Sequence, residues 1–196
     1  MIEQLTLLDL PATEASALKS ELSAIEDSKL PEQTEPLPPK QLDAPHTPFA
    51  IIQAVLACLG EIDLDPCSDP QASSVVPAKK RFFQAEEGLA PAWQGSVYLQ
   101  PPANDAIRHW VNKLCAEYEA GRVGGAIALL PARVDTDWFD RLGGYPVCFL
   151  RQQLSLSGSP NPEPFPAAVF YLGPDLEKFI QSFRKLGRIY AAIDTA

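Results

Sequence analysis

The sequence predicts an α/β protein built on an open, mostly parallel sheet flanked by helices. Three observations predict it. Short continuous apolar runs, such as residues 126–130, alternate with segments of helical periodicity, the pattern of strands covered on both faces. Twenty prolines against 11 glycines in 196 residues keep the regular elements short and closely punctuated. Hydrophobic residues at 46% and charged residues at 21% are a globular composition and exclude wholesale disorder.

Residues 1–45 stand apart as an acidic, proline-rich leader. They hold nine acids against three lysines, so two thirds of the chain's net charge of −9 sits there, and they contain no aromatic residue. Five prolines between positions 31 and 45 read as an extended linker, and the whole segment as largely disordered. Leu18, Leu22 and Ile25 share one face of a possible short helix over 12–25, a solvated tail or a partner-docking segment.

The domain proper runs over 46–196. Thr47 followed by Pro48 predicts a helix start, with Thr47 as N-cap and Pro48 at the first helical position. Gly60 ends that helix, and 61–65 is a short strand stopped by Pro66. A second strand at 97–99 is stopped by Pro101-Pro102. Ile107, Trp110, Val111 and Leu114 mark a helix over 105–118. A strand over 125–130 and a short helix over 135–142 follow, then strands at 146–150 and 167–172. A helix over 175–186 and a last strand at 188–193 close the chain. In such sheets ligands lie beyond the carboxyl ends of the strands. Asp65-Pro66-Cys67 and Gln100-Pro101-Pro102 end strands there and are the candidate sites.

The net charge excludes a bulk polycation but not a local basic groove. No apolar run approaches the roughly 20 residues a membrane span needs. The start Met1-Ile2-Glu3-Gln4 lacks the basic and apolar regions of a secretory signal, which predicts a cytoplasmic protein. Cys58, Cys67, Cys115 and Cys148 are widely spaced, predicting reduced thiols and no metal site. There is no G-x-G-x-x-G, which disfavours NAD or FAD.

In chain order the domain shows Thr47-Pro48, Leu64-Asp65-Pro66-Cys67-Ser68, Arg81-Phe82-Phe83, Glu87-Gly88-Leu89 and Trp93-Gln94-Gly95. These are followed by Val97-Tyr98-Leu99-Gln100-Pro101-Pro102, Leu129-Leu130-Pro131-Ala132, Asp135-Thr136-Asp137-Trp138-Phe139 and Val147-Cys148-Phe149-Leu150. This series resembles the phage-type DNA adenine (N-6) methyltransferase family over residues 46–173. The resemblance implies a class I methyltransferase-like (Rossmann-like) sheet, S-adenosylmethionine as cofactor, and DNA methylation in a phage or restriction-modification setting. It assigns Thr47 and Pro48 to the cofactor's methionine end, where a helix N-terminus offers free N–H groups. Asp65 would accept ribose or ammonium hydrogen bonds, Pro66 and Cys67 would line the sulfonium, and Glu87 would accept from the adenine. Each position has a structural alternative: Thr47 as a cap, Asp65 as a strand end, Glu87 as a surface residue.

The family's Asn-Pro-Pro-Tyr is replaced here by Gln100-Pro101-Pro102-Ala103. The usual amide and first proline carbonyl accept from the target amine, while the tyrosine stacks on the flipped base. The extra methylene of Gln100 moves the acceptor by about 1 Å, which can cost ~100-fold. Ala103 forfeits a stacking term of roughly 1–3 kcal/mol. Tyr98, His109 and Trp110 are the nearby alternative rings, the last two a turn into the helix. The resemblance therefore implies methylation of the adenine amine in DNA, by a site that the altered tetrapeptide weakens. The alternative is an impaired domain that binds cofactor or nucleic acid. Lys79, Lys80, Arg81, Arg133 and Arg151 are the candidate nucleic-acid contacts, with the Lys178, Arg184, Lys185 and Arg188 group behind them. Gln152 and Gln153 stand where the family tends to carry Gly-Arg.

Overall fold

Alternate residues along the longest apolar strands go to opposite faces of one sheet, and that alternation organises the domain. The computed structural model describes residues 47–68, 76–83, 85–102, 104–154 and 164–192. The leader, the helix expected over 12–25 and Ala103 lie outside these residues. The elements in order are α1 (Phe49–Leu59), β1 (Ile62–Asp65), β2 (Ala78–Arg81), α2 (Ala85–Leu89), β3 (Gly95–Leu99) and α3 (Ile107–Glu119). They continue with β4 (Val123–Pro131), α4 (Asp137–Asp140), β5 (Val147–Leu150), β6 (Ala167–Leu172), α5 (Leu176–Phe183) and β7 (Gly187–Tyr190).

The seven described strands lie in the order β2-β1-β3-β4-β6-β5-β7. On β4, Ala126, Ala128 and Leu130 face one side and Ile127 and Leu129 the other; β6 splits the same way. One face packs Tyr98, Ile127, Leu129, Val169 and Tyr171 under α1 and α5. The other packs Val97, Leu99, Ala128 and Phe170 with Trp93 under α3 and α4. Each buried valine, leucine, isoleucine or phenylalanine among them contributes roughly 1.5–3 kcal/mol by leaving water. The α/β layering is as the sequence predicts.

The parallel pairing holds for half of the sheet. β1 pairs parallel with β2 and β3, and β3 with β4. β6 runs antiparallel to β4 and β5, and β7 antiparallel to β5. The sheet is mixed because β6 is reached without a helical crossover in the described chain and enters between β4 and β5 in reverse. Sequence periodicity could not reveal this, since a doubly covered antiparallel strand is as uniformly apolar as a parallel one; all six residues of β6 are buried.

Three local expectations are corrected. Thr47 is not the N-cap: Pro48 holds that position at φ −53, ψ 135 without a side-chain cap bond, and the helix begins at Phe49. Residues 78–81 and 85–89, not expected to be regular, form β2 and α2. Ala78-Lys79-Lys80-Arg81 is polar because β2 is an edge strand paired only with β1. The last strand ends at Tyr190, short of the expected 193.

Candidate functional site

The strand order sets the location. The chain passes from β1 outward to β2, then returns to β3 on the other side of β1. A crevice opens at such a reversal beyond the carboxyl ends of the two strands. Asp65 is the last residue of β1, and Gln100-Pro101-Pro102 follow the last residue of β3. The fold thus brings the two conspicuous strand ends together. Leu64 of β1 pairs with Val97 of β3, which sets the two strand ends side by side, and the Gln100 backbone N–H favours the charged form of the Cys67 thiol.

Asp65 is 3% exposed. Burial pushes its carboxyl up to about 6, against the opposing effects of the Ser68 hydroxyl, the Cys67 N–H and the Arg81 charge. The Cys67 N–H donates to Asp65 Oδ1 at 3.3 Å, closing the turn on its own carboxylate. The strand ladder continues past β1 and β2, with Phe82 N–H to Asp65 O at 3.1 Å and Ser68 N–H to Phe82 O at 2.8 Å. Burial also raises the Cys67 thiol well above its ordinary value, reinforced by the Asp65 charge. That thiol is an uncharged lining group. All four cysteines are free.

Thr47, Tyr98 and Gln100 form a second unit. Tyr98 and Gln100 are two positions apart and project to the same side. The Tyr98 hydroxyl donates to Gln100 Oε1 at 2.6 Å, and the Thr47 hydroxyl donates to the same oxygen. The two hydroxyls are 3.2 Å apart. Thr47 is buried and Tyr98 is 1% exposed. Burial raises the Tyr98 phenol far above its usual value, so it stays a neutral donor. Sequence reasoning missed this role for Thr47 and Tyr98. The spacing Tyr98-x-Gln100 carries a faint signal, but Thr47 is 51 residues from Tyr98 and only the fold brings it there.

Gly88 closes the floor. A Cβ there would overlap the Pro66 carbonyl oxygen and stand 2.8 Å from the Trp110 ring, so α2 sits directly on the Asp65 turn. Trp110 stacks on Trp93 with centroids 6.2 Å apart, and Trp93 Nε1 donates to Gly88 O at 2.8 Å. Tyr98 and Trp110 are thus committed to the interior and supply no stacking ring. Glu87, next to Gly88, is exposed on the crevice side of the sheet order, following β2.

The basic candidates divide. Arg81 is paired across from Asp65, and its guanidinium donates to Val76 O at 2.5 Å. Lys79 lies toward the amino end of β2, in ion pairs with Glu61 at 2.6 Å and Asp63 at 2.8 Å, away from the crevice. Lys80 sits over the Phe82 ring at 4.8 Å. Arg133 follows β4, exposed and 3.6 Å from Asp135. Arg151 follows β5, its Nη1 donating to Lys185 O at 3.0 Å. Arg81, Arg133 and Arg151 therefore share the carboxyl edge, whereas Lys79 does not.

Among the described residues no group of three or more His, Cys, Asp or Glu side chains comes together to hold a metal, and no helix is long and apolar enough to cross a membrane. The fold and site together define an α/β domain whose Asp65 and Gln100 strand ends meet at its topological switch point. The chain matches no family model and no curated protein.

Proposed function

We propose that this domain binds S-adenosylmethionine in the crevice between β1 and β3 and methylates the exocyclic amine of adenine in DNA. The observation that carries the reading is the meeting of Asp65-Pro66-Cys67 and Gln100-Pro101-Pro102 at the switch point. The residues present fit the cofactor. Asp65 is a buried acceptor whose charge burial penalises, so ligand hydroxyls would relieve it. The neutral Cys67 thiol and Pro66 make a small apolar turn suited to a sulfonium. The start of α1 directs backbone N–H groups toward the same edge, where a carboxylate would be held. When bound, S-adenosylmethionine supplies an electrophilic methyl group. The chain's own part is to orient the amine, through the Pro101 carbonyl and Gln100.

A second reading, cofactor and nucleic-acid binding with impaired turnover, is favoured by one observation. Gln100 Oε1 already accepts from Tyr98 and Thr47. The amide's free end is then its NH2, a donor where the target amine needs an acceptor.

Calorimetry with S-adenosylmethionine tests the common part of both readings. Binding is expected, with Asp65→Ala weakening it and Lys178→Ala leaving it unchanged. Absence of binding, or equal effects of the two variants, overturns the assignment. Transfer of labelled methyl groups to unmethylated DNA then separates the active from the impaired domain.

A further inference from the structure

The far corner of the same sheet carries a constellation that the crevice does not use. β5 and β7 pair with Phe149 opposite Arg188 and Val147 opposite Tyr190. Phe149, Arg188 and Tyr190 therefore share one face, and with Leu150 and Arg151 they line an open concavity of about 380 Å³. Tyr190 is 53% exposed, a large ring left in solvent. It is nevertheless held: its ring meets Phe149 edge-on, centroids 5.7 Å apart at 67°. Phe149 in turn stacks with Phe139 at 6.3 Å, tying the platform to the core.

Two of the residues lining the concavity, Arg151 and Arg188, are cations. The Arg151 bond to the Lys185 carbonyl brings the end of β5 against the segment carrying Arg184, Lys185 and Arg188. All four cations are exposed. Among the described residues none of them enters an ion pair, as is true also of Lys80, Arg81, Arg108 and Lys178, whereas Lys79, Lys113, Arg122, Arg133 and Arg141 do. Unpaired cations clustered in a chain of net charge −9 are not explained by average composition. Protection of an edge strand would account for Arg188 alone. It does not account for a fixed, solvent-facing tyrosine beside a concavity.

We propose that this corner binds a single-stranded nucleic-acid segment, with Tyr190 stacking on one base and Arg151 and Arg188 holding the neighbouring phosphates. Every base offers a π-face, so a fixed aromatic ring flanked by cations binds single strands without reading sequence. The strand order puts β7 four strand intervals from β3, about 19 Å at the usual spacing. Tyr190 pairs with Val147 at the amino end of β5, so it is also displaced along the strands, and a single strand reaching the crevice needs more than about six phosphates at ~3.4 Å each. The proposal rests on the methyltransferase reading only for what lies at the other end of that strand.

The test is fluorescence anisotropy of the full chain with labelled oligothymidine of about 20 nucleotides, the matching oligouridine, and a duplex, at about 50 mM salt. Both single strands should bind alike, since stacking and phosphate contacts read neither sugar nor sequence, and the duplex more weakly. Tyr190→Ala should weaken single-strand binding by about 5- to 150-fold, with Tyr190→Phe within about threefold of the native chain. Arg188→Gln, an exposed change, should lower the salt dependence by about 0.7 in slope and carries the test should Tyr190→Ala fail to fold. Binding to duplex alone, no binding at low salt, or single-strand binding indifferent to Tyr190→Ala and Arg188→Gln overturns the proposal. S-adenosylmethionine calorimetry on the same variants keeps the readings distinguishable. Tyr190-dependent strand binding without cofactor binding sinks the crevice assignment and leaves this one standing.

Discussion

Tyr98 donates its phenolic proton to Gln100 Oε1 at 2.6 Å, two positions further along the chain, and so turns the amide's acceptor into the protein. With Thr47 on the same oxygen, the extra methylene of glutamine is what allows the amide to reach back. An asparagine at position 100 would set its acceptor one methylene nearer the main chain, back from both hydroxyls. The departure at this position is therefore built into a buried network.

Restoring the tetrapeptide tests this directly. Gln100→Asn alone is expected to cost about 1–3 kcal/mol of stability, because the buried Tyr98 and Thr47 hydroxyls lose the acceptor they share and keep only each other. Combined with Ala103→Tyr, it should raise methyl transfer to adenine-containing DNA at least ~10-fold, with coupled rather than additive effects. Labelled-methyl assays on duplex and single-stranded DNA read the outcome. A native chain already turning over at about 1 per second would show that Gln100 serves as well as asparagine.

Asp65 makes stability and cofactor affinity depend on pH in opposite directions. Its folded value of about 6 lies above the ordinary 3.8, so between them the folded state binds more protons than the unfolded. Stability should fall as pH rises through that window, by at most about 3 kcal/mol. Asp65→Asn should flatten this slope in melting experiments at about pH 4 and 7. Cofactor hydroxyls favour the carboxylate, so affinity for S-adenosylmethionine should rise as pH passes 6. Affinity that is flat or falling over that range contradicts the role given to Asp65.

Gly88 transmits packing to the same turn. Gly88→Ala should destabilise the domain by about 1–3 kcal/mol, because its Cβ overlaps the Pro66 carbonyl and cannot be accommodated by a side-chain rotation. Cofactor titration of the folded fraction should show weakened binding as the Pro66-Cys67 turn is displaced. Unchanged affinity would separate α2 from the site.

Glu117 provides a contrast remote from the crevice. Burial raises its carboxyl, but Lys113 and Arg122 outweigh that and hold it below the usual value. Lys113 is 2.7 Å away at i,i+4, and Arg122 pairs from beyond the helix end. The stabilisation from these two ion pairs is present above the ordinary carboxyl value and is lost as pH falls through the lower folded value. Glu117→Ala should cost about 1–3 kcal/mol by chemical denaturation and leave S-adenosylmethionine affinity unchanged.

The sequence by itself determined the alternation of elements and the two strand ends that matter. Short segments stopped by Pro66 and by Pro101-Pro102 are too short for helices, so Asp65 and Gln100 are legible in the sequence as strand-end residues. It also made the Thr47-Pro48 helix start visible, but not its use. A hydroxyl's partner depends on which strand lies beside it, and Thr47 reaches Tyr98 across 51 residues. Tertiary structure alone decided that β6 runs in reverse, because burial on both faces erases the periodicity that records direction. It decided that Lys79 pairs with Glu61 and Asp63, since ion pairs form between neighbouring strands and local spacing does not encode them. It also gathered Arg151, Arg188 and Tyr190 at one corner. Strand pairing does this by placing distant residues opposite one another, a relation that no window along the chain contains.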